Sequence, residues 1–191
     1  GDAELELQRF WGIGDDWVVG GGVGSMLPLG RTEEDPYILA SQSLEHQHMQ
    51  MGGGTFDPIL SATVVRSGHR WGLTANGKGR LALYENSKLY RSSPYLQLGL
   101  GPTYRFTTKT MLTTEMRGQK DWQAEWDGEP DRMSGRTLFT VGSSMIHRFT
   151  PELAVMGQVQ ATVWQWSVED TIIQRFIGSM GVSLTPAKKH E

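Results

Sequence analysis

The chain of 191 residues has no cysteine, so no disulfide framework holds it together. It has no window approaching the roughly 18–20 consecutive apolar residues that a spanning helix requires, and its mean hydropathy is negative. A helical membrane protein is thereby excluded. Positive charge is not in excess: 18 Lys and Arg stand against 21 Asp and Glu, a net charge of -3. A nucleic-acid binder would be expected to carry a basic patch, and none is suggested. Helical periodicity is hard to find anywhere. The Gly52-Gly53-Gly54-Thr55 run is not followed by the Gly-Lys-Ser/Thr of a phosphate loop, and no serine sits in a nucleophile elbow. Hydrolase and nucleotide-binding chemistry are set aside, and the chain is expected to be non-catalytic.

What is abundant is glycine, at 24 residues, and tryptophan, at 7, arranged along runs of period two. In Tyr95-Leu-Gln-Leu-Gly-Leu-Gly-Pro-Thr-Tyr-Arg-Phe106, Leu96, Leu98, Leu100, Tyr104 and Phe106 are apolar, whereas Gln97, Gly99, Gly101, Thr103 and Arg105 are small or polar. Beyond a turn at 107–109 the alternation resumes, with Leu112, Thr114 and Met116 opposite Thr113, Glu115, Arg117 and Gln119. Alternation of this kind marks a strand with one greasy and one wet face. A soluble sheet does not usually line its dry side with Arg and Glu, so the polar face is expected to look into a wet lumen and the apolar face into lipid. A membrane barrel tolerates negative hydropathy because only alternate residues meet lipid.

The same pattern divides the chain into nine expected strands, at 5–13, 17–29, 59–66, 71–83, 95–106, 111–125, 137–149, 153–166 and 172–184. Short turns at 14–16, 67–69, 107–109 and 150–152 alternate with longer connections, the pattern of short turns on one rim and long loops on the other. The fold class expected is all-β, an antiparallel up-and-down transmembrane β-barrel with about 9–10 strands in this chain. The barrel domain spans residues 1–185, with 31–55 a long extracellular loop and 186–191 a polar tail. Trp11, Trp17, Trp71, Tyr84, Tyr95, Trp122, Trp126, Phe149, Trp164 and Trp166 fall near expected strand ends, as aromatic girdles do at the headgroup level.

Wet-face parity supplies the candidate lumen-lining set: Glu4, Glu6, Lys78, Arg80, Arg105, Glu115, Arg117, Gln158, Gln160 and Arg175. Two readings stand side by side for these charges. Either they line a water-filled pore whose fields select solutes, or they pair across neighbouring strands and plug a narrow barrel. A second cluster, His46, His48, Met49 and Met51, joins imidazole and thioether groups that suit copper, or zinc or nickel through imidazole alone. In extended backbone it splits into two half-sites, with the histidines on one side and the methionines on the other. A rim segment with ordinary polar contacts is the expected reading there, and no cofactor is expected.

The opening Gly1-Asp2-Ala-Glu-Leu-Glu-Leu7, the strand ending in Leu27-Pro28-Leu29-Gly30, His48-Met-Gln-Met-Gly-Gly-Gly-Thr-Phe-Asp-Pro58 and Gln158-Val-Gln-Ala-Thr-Val-Trp-Gln165 resemble the outer-membrane β-barrel transporter family associated with phenol-degradation gene clusters. The resemblance implies a bacterial outer-membrane location, outer-membrane lipid and small solutes as partners, and a channel or uptake role without catalysis. The chain departs from such barrels at Pro186-Ala-Lys-Lys-His-Glu191, a polar tail where a terminal aromatic is usual. The first expected strand descends from the long-loop rim, so an odd number of strands is expected to precede Gly1, or to come from a neighbouring chain that completes the barrel. The rival reading is a soluble β-barrel or sandwich that binds a ligand or partner.

Overall fold

A computed structural model describes residues 1–45, 51–168 and 175–184. Its body is a sheet of nine long antiparallel strands that follow one another up and down. In chain order the elements are β1 (Ala3–Ile13), β2 (Trp17–Leu27), α1 (Pro36–Ser41), β3 (Pro58–Ser67), β4 (Trp71–Arg80), β5 (Tyr90–Arg91), β6 (Tyr95–Arg105), β7 (Thr110–Asp121), β8 (Glu125–Trp126), β9 (Glu129–Pro130), β10 (Arg136–Arg148), β11 (Leu153–Ser167) and β12 (Phe176–Leu184). The large sheet has the order β1-β2-β3-β4-β6-β7-β10-β11-β12, and the two-residue strands β5, β8 and β9 form a small separate sheet. The large sheet is open: β1 and β12 each pair on one side only among the described residues.

Local chemistry accounts for several limits. β2 stops at Leu27 because Pro28 has no N–H to give the ladder, two residues short of the expected end. β7 ends at Asp121 rather than 125; the Trp122 N–H makes one further ladder-like bond, to the Pro94 carbonyl at 3.0 Å, before the chain leaves for the rim. Within the connection expected to be irregular, α1 forms for a readable reason. Asp35 caps it, accepting from Tyr37 N at 2.8 Å and Ile38 N at 3.4 Å, and Pro36 follows at the first helical position.

Register gives the large sheet two unlike faces. On one lie Leu5, Leu7, Trp11 and Ile13 of β1, Val23 of β2, Leu96, Leu98 and Leu100 of β6, Phe139 and Met145 of β10, and Phe176, Met180 and Val182 of β12. These large apolar side chains are exposed, Leu7 at 74% and Met180 at 87%. The opposite face carries the charged and amide groups, and those are half-buried. That is the reverse of a water-soluble sheet, in which the apolar face is covered. Exceptions to the alternation include Arg9, Arg66 and Lys120, which lie on the apolar side over the rings of Trp11, Trp17 and Trp166 at 5.6, 5.5 and 5.2 Å, and Phe10, which points to the polar side against Gly20. In β11 a bulge opposite Phe139 and Thr140 shifts the register, and Val163 and Trp164 are both exposed as a result.

Fully buried residues sit not between layers but at the long-loop rim. There Ile59, Thr55 and Asp57 are 1–2% exposed, with Ala124, Ser92, Asn86 and Trp126 close to that. The described parts of the connections at 28–57, 81–94 and 122–135 pack on one another. Asp57 accepts from Thr55 Oγ1 at 2.7 Å and from Ser92 Oγ, while Asn86 Nδ2 donates to the Gly53 carbonyl at 2.9 Å. The Asp2 carboxylate receives both Gly30 N and Gly53 N, at 2.9 and 2.6 Å. Tyr90 packs against Trp126 at 4.8 Å, and its burial, with Asp131 nearby, pushes its phenol up to about 12. Two members of the expected aromatic girdle are therefore misplaced. Trp126 is 5% exposed inside this rim cluster, and Tyr95 lies on the polar face with the Arg80 guanidinium 5.2 Å over its ring. Trp11, Trp17, Trp71, Tyr84, Trp122, Phe149, Trp164 and Trp166 are exposed near the two rims.

Candidate functional site: the polar face

Strand pleating sends alternate side chains to the polar face, and glycines there decide how far those side chains reach. Glu6 of β1 extends over Gly22 of β2 to bond Ser61 of β3, and a Cβ on Gly22 would overlap both partners. Lys78 of β4 meets the Glu4 carboxylate and stands 3.3 Å from that of Glu6, so side chains separated by three strand-to-strand steps touch. On a flat sheet three such steps span about 14 Å. The sheet thus bends toward its polar face. Gly99 of β6 plays the part of Gly22 again: Asn76 of β4 passes over it to donate to Glu115 of β7 at 2.9 Å, and a Cβ there would lie 2.6 Å from Asn76 Oδ1.

Most of the charges on this face are neutralised locally. Glu115 pairs with Arg117 at 2.8 Å and Asp121 with Arg136 at 2.7 Å. Glu115, Arg117, Gln158 and Gln160 come together around a polar cavity of about 30 Å³, with Thr140 and Ser144 beside them. That is room for about one water.

Three residues of the expected set stand apart. Arg80, at the long-loop end of β4, donates to the Ser93 carbonyl and lies 4.0 Å from Asp57, so it clamps the rim loops to the sheet. Arg105 ends β6 at the opposite rim, donating to the His69 carbonyl at 3.4 Å. Arg175 precedes β12, and its carbonyl accepts from Thr162 N at 3.1 Å. Of the possible metal cluster, His46, His48 and Met49 lie outside the described residues, and Met51 is exposed in the 28–57 connection. Among the described residues no group of three or more His, Asp and Glu side chains is placed to hold a metal ion.

The sequence reading missed Asp2, Thr55, Asp57, Asn86 and Ser92, the polar residues that fix the long-loop rim. Asp57 before Pro58 and Asn86 within a polar run are turn signals, but nothing in their spacing says that three connections converge on them. On the apolar side, Leu96, Leu98, Phe139 and Trp164 wall a groove of about 420 Å³ over Gly118, where a Cβ would meet only Phe139, at 4.0 Å.

Together these features define an all-β, antiparallel up-and-down sheet with an exposed apolar face and an internally paired polar one. No protein-family model matches the chain, and no curated protein matches it either.

Proposed function

We propose that the nine strands form part of the wall of an outer-membrane β-barrel in a bacterial envelope, acting as a non-catalytic channel or uptake component for small solutes. The observation that carries this reading is the inverted exposure of the two faces: every long strand turns large apolar side chains outward while charged pairs and amides are sheltered on the inside of the curve. In water that arrangement would cost the apolar hydration of a whole sheet face, at about 25 cal/mol per Å² of apolar surface left uncovered. In lipid the same face is solvated.

Alternation of short turns at 14–16, 68–70, 106–109 and 149–152 with connections of up to thirty residues supports the outer-membrane orientation, long loops outward. A soluble sandwich would lay a second layer on the apolar face, and among the described residues none is there. β1 and β12 both run toward the short-turn rim, so antiparallel closure needs an odd number of further strands between them, the first and last ascending. A second copy in the same membrane orientation offers only descending edges and cannot supply one. Closure therefore joins β1 to β12 either directly, as one parallel pair, or through such a strand from another segment or chain, because an unpaired edge in lipid leaves backbone groups unsatisfied at several kcal/mol each.

Conductance in planar bilayers tests the reading. Discrete channel steps on insertion are expected, whereas a protein that remains in the aqueous phase without detergent and never inserts would overturn it.

A further inference from the structure

The wall charges pair with one another, but those at the short-turn mouth do not. Two adjoining clefts of about 270 and 230 Å³ lie on the inner side of that rim and share Arg105 and Met111. Around the first stand Arg105, Lys109 and Arg148; around the second, Arg70 and Arg105. No carboxylate lines either cleft, and among the described residues none lies within 4.0 Å of these four cations. The acids of the same rim are Asp15 and Asp16 in the first turn and Glu152 in the last, where Glu152 accepts from Thr150 Oγ1 at 2.9 Å.

The positions are set by the fold rather than by one stretch of sequence. Arg105 and Arg148 end β6 and β10, two strands that descend to this rim, and Arg70 and Lys109 occupy the turns that follow β3 and β6. The turn itself is held by Lys109 N and Thr110 N, which donate to Thr107 Oγ1 at 3.1 and 3.0 Å, and Thr108 lines the first cleft beside the cations. Arg66, at the end of β3, is not part of this set: it lies on the apolar face over the Trp17 ring at 5.5 Å.

We propose that this mouth is an anion site that makes the channel anion-selective, drawing small carboxylate- or phosphate-bearing solutes to the short-turn end of the lumen. This rests on the channel reading above. A ring of like charges at a constriction with low-dielectric walls produces potentials of several kT, raising the local concentration of counter-ions and setting charge selectivity. Further up the wall Lys78 sits between Glu4 and Glu6, and Arg117 beside Glu115, so no comparable cationic excess competes with the mouth.

The test is the reversal potential of the full chain in planar bilayers under a potassium chloride gradient of 10 to 100 mM, where the screening length is about 30 to 10 Å. A chloride-to-potassium permeability ratio above one is expected. The triple variant Arg105→Gln, Lys109→Gln, Arg148→Gln should lower that ratio about seven-fold, the effect on the two ions together of reducing the mouth potential by about one kT. Lys120→Gln, on the apolar face, should leave it unchanged and shows that inserted protein is being read. A conducting wild type that prefers potassium, or a triple variant with an unaltered ratio, overturns the anion site while the channel reading stands. Absence of conductance in every form removes both.

Discussion

Replacing Leu100 with arginine puts a charge at the middle of β6 on the apolar face, in one cross-strand row with Ala75, Met116 and Val141. Phe106, on the same parity and six residues further along, leads into the short turn. At about 3.3 Å per residue the two positions are about 20 Å apart along the strand. A strand tilt of about 45° converts that to about 14 Å of depth, beyond half the height of an apolar band about 25 Å tall. Leu100→Arg should therefore cost about 2–4 kcal/mol in a lipid bilayer and Phe106→Arg about 0–1 kcal/mol. Both side chains are about half exposed, so on a water-soluble sheet either change would fall within about ±0.5 kcal/mol. Urea unfolding of the protein in lipid vesicles, followed by tryptophan fluorescence, measures the difference. Equal costs at the two positions would refute the depth assignment and the lipid-facing surface with it.

Gly24→Ala should destabilise the sheet by about 1–3 kcal/mol, because a Cβ there overlaps the Leu5 carbonyl oxygen and lies 2.9 Å from Glu6 Cα, both backbone atoms. Gly22→Ala should cost no more than about 1 kcal/mol in the same urea titration, since the atoms it displaces are the movable ends of Glu6 and Ser61 and the backbone entropy of glycine is recovered. Tyr90, whose phenol stands at about 12 in the folded protein, stays neutral where the unfolded chain ionises near 10. Its contribution is complete below pH 10 and falls as pH rises from about 10 to 12, by roughly 2–3 kcal/mol. Unfolding midpoints at pH 9 and pH 11.5 should accordingly converge in Tyr90→Phe relative to the parent protein.

Strand number and facing were legible because each long strand alternates on its own: Leu96 to Phe106 declares its parity without knowledge of its neighbours. What defeated the pattern was packing from outside the strand. Trp126 looks like a girdle residue by position, yet it is buried because the connection at 122–135 folds back against Tyr90. Arg80 has the parity of a lining residue, but Asp57 and Ser93, distant in sequence, take it for the rim. Phe10 breaks parity because the Gly20 opposite it leaves space for a ring. Each of the three depends on a partner outside its own strand or on a missing side chain across the ladder, and alternation along one strand carries no record of either.

Single-cysteine labelling of vesicle-reconstituted protein tests the central claim most directly, with Gln97, Thr113 and Glu115 set against Leu98, Leu100 and Met116 on the same two strands. The chain has no native cysteine to interfere. A charged, membrane-impermeant thiol reagent is predicted to modify the first three and spare the last three, which lipid covers. Modification of both sets at equal rates, or of the leucine and methionine positions alone, would contradict a sheet that turns its apolar face to the bilayer and its polar face to water.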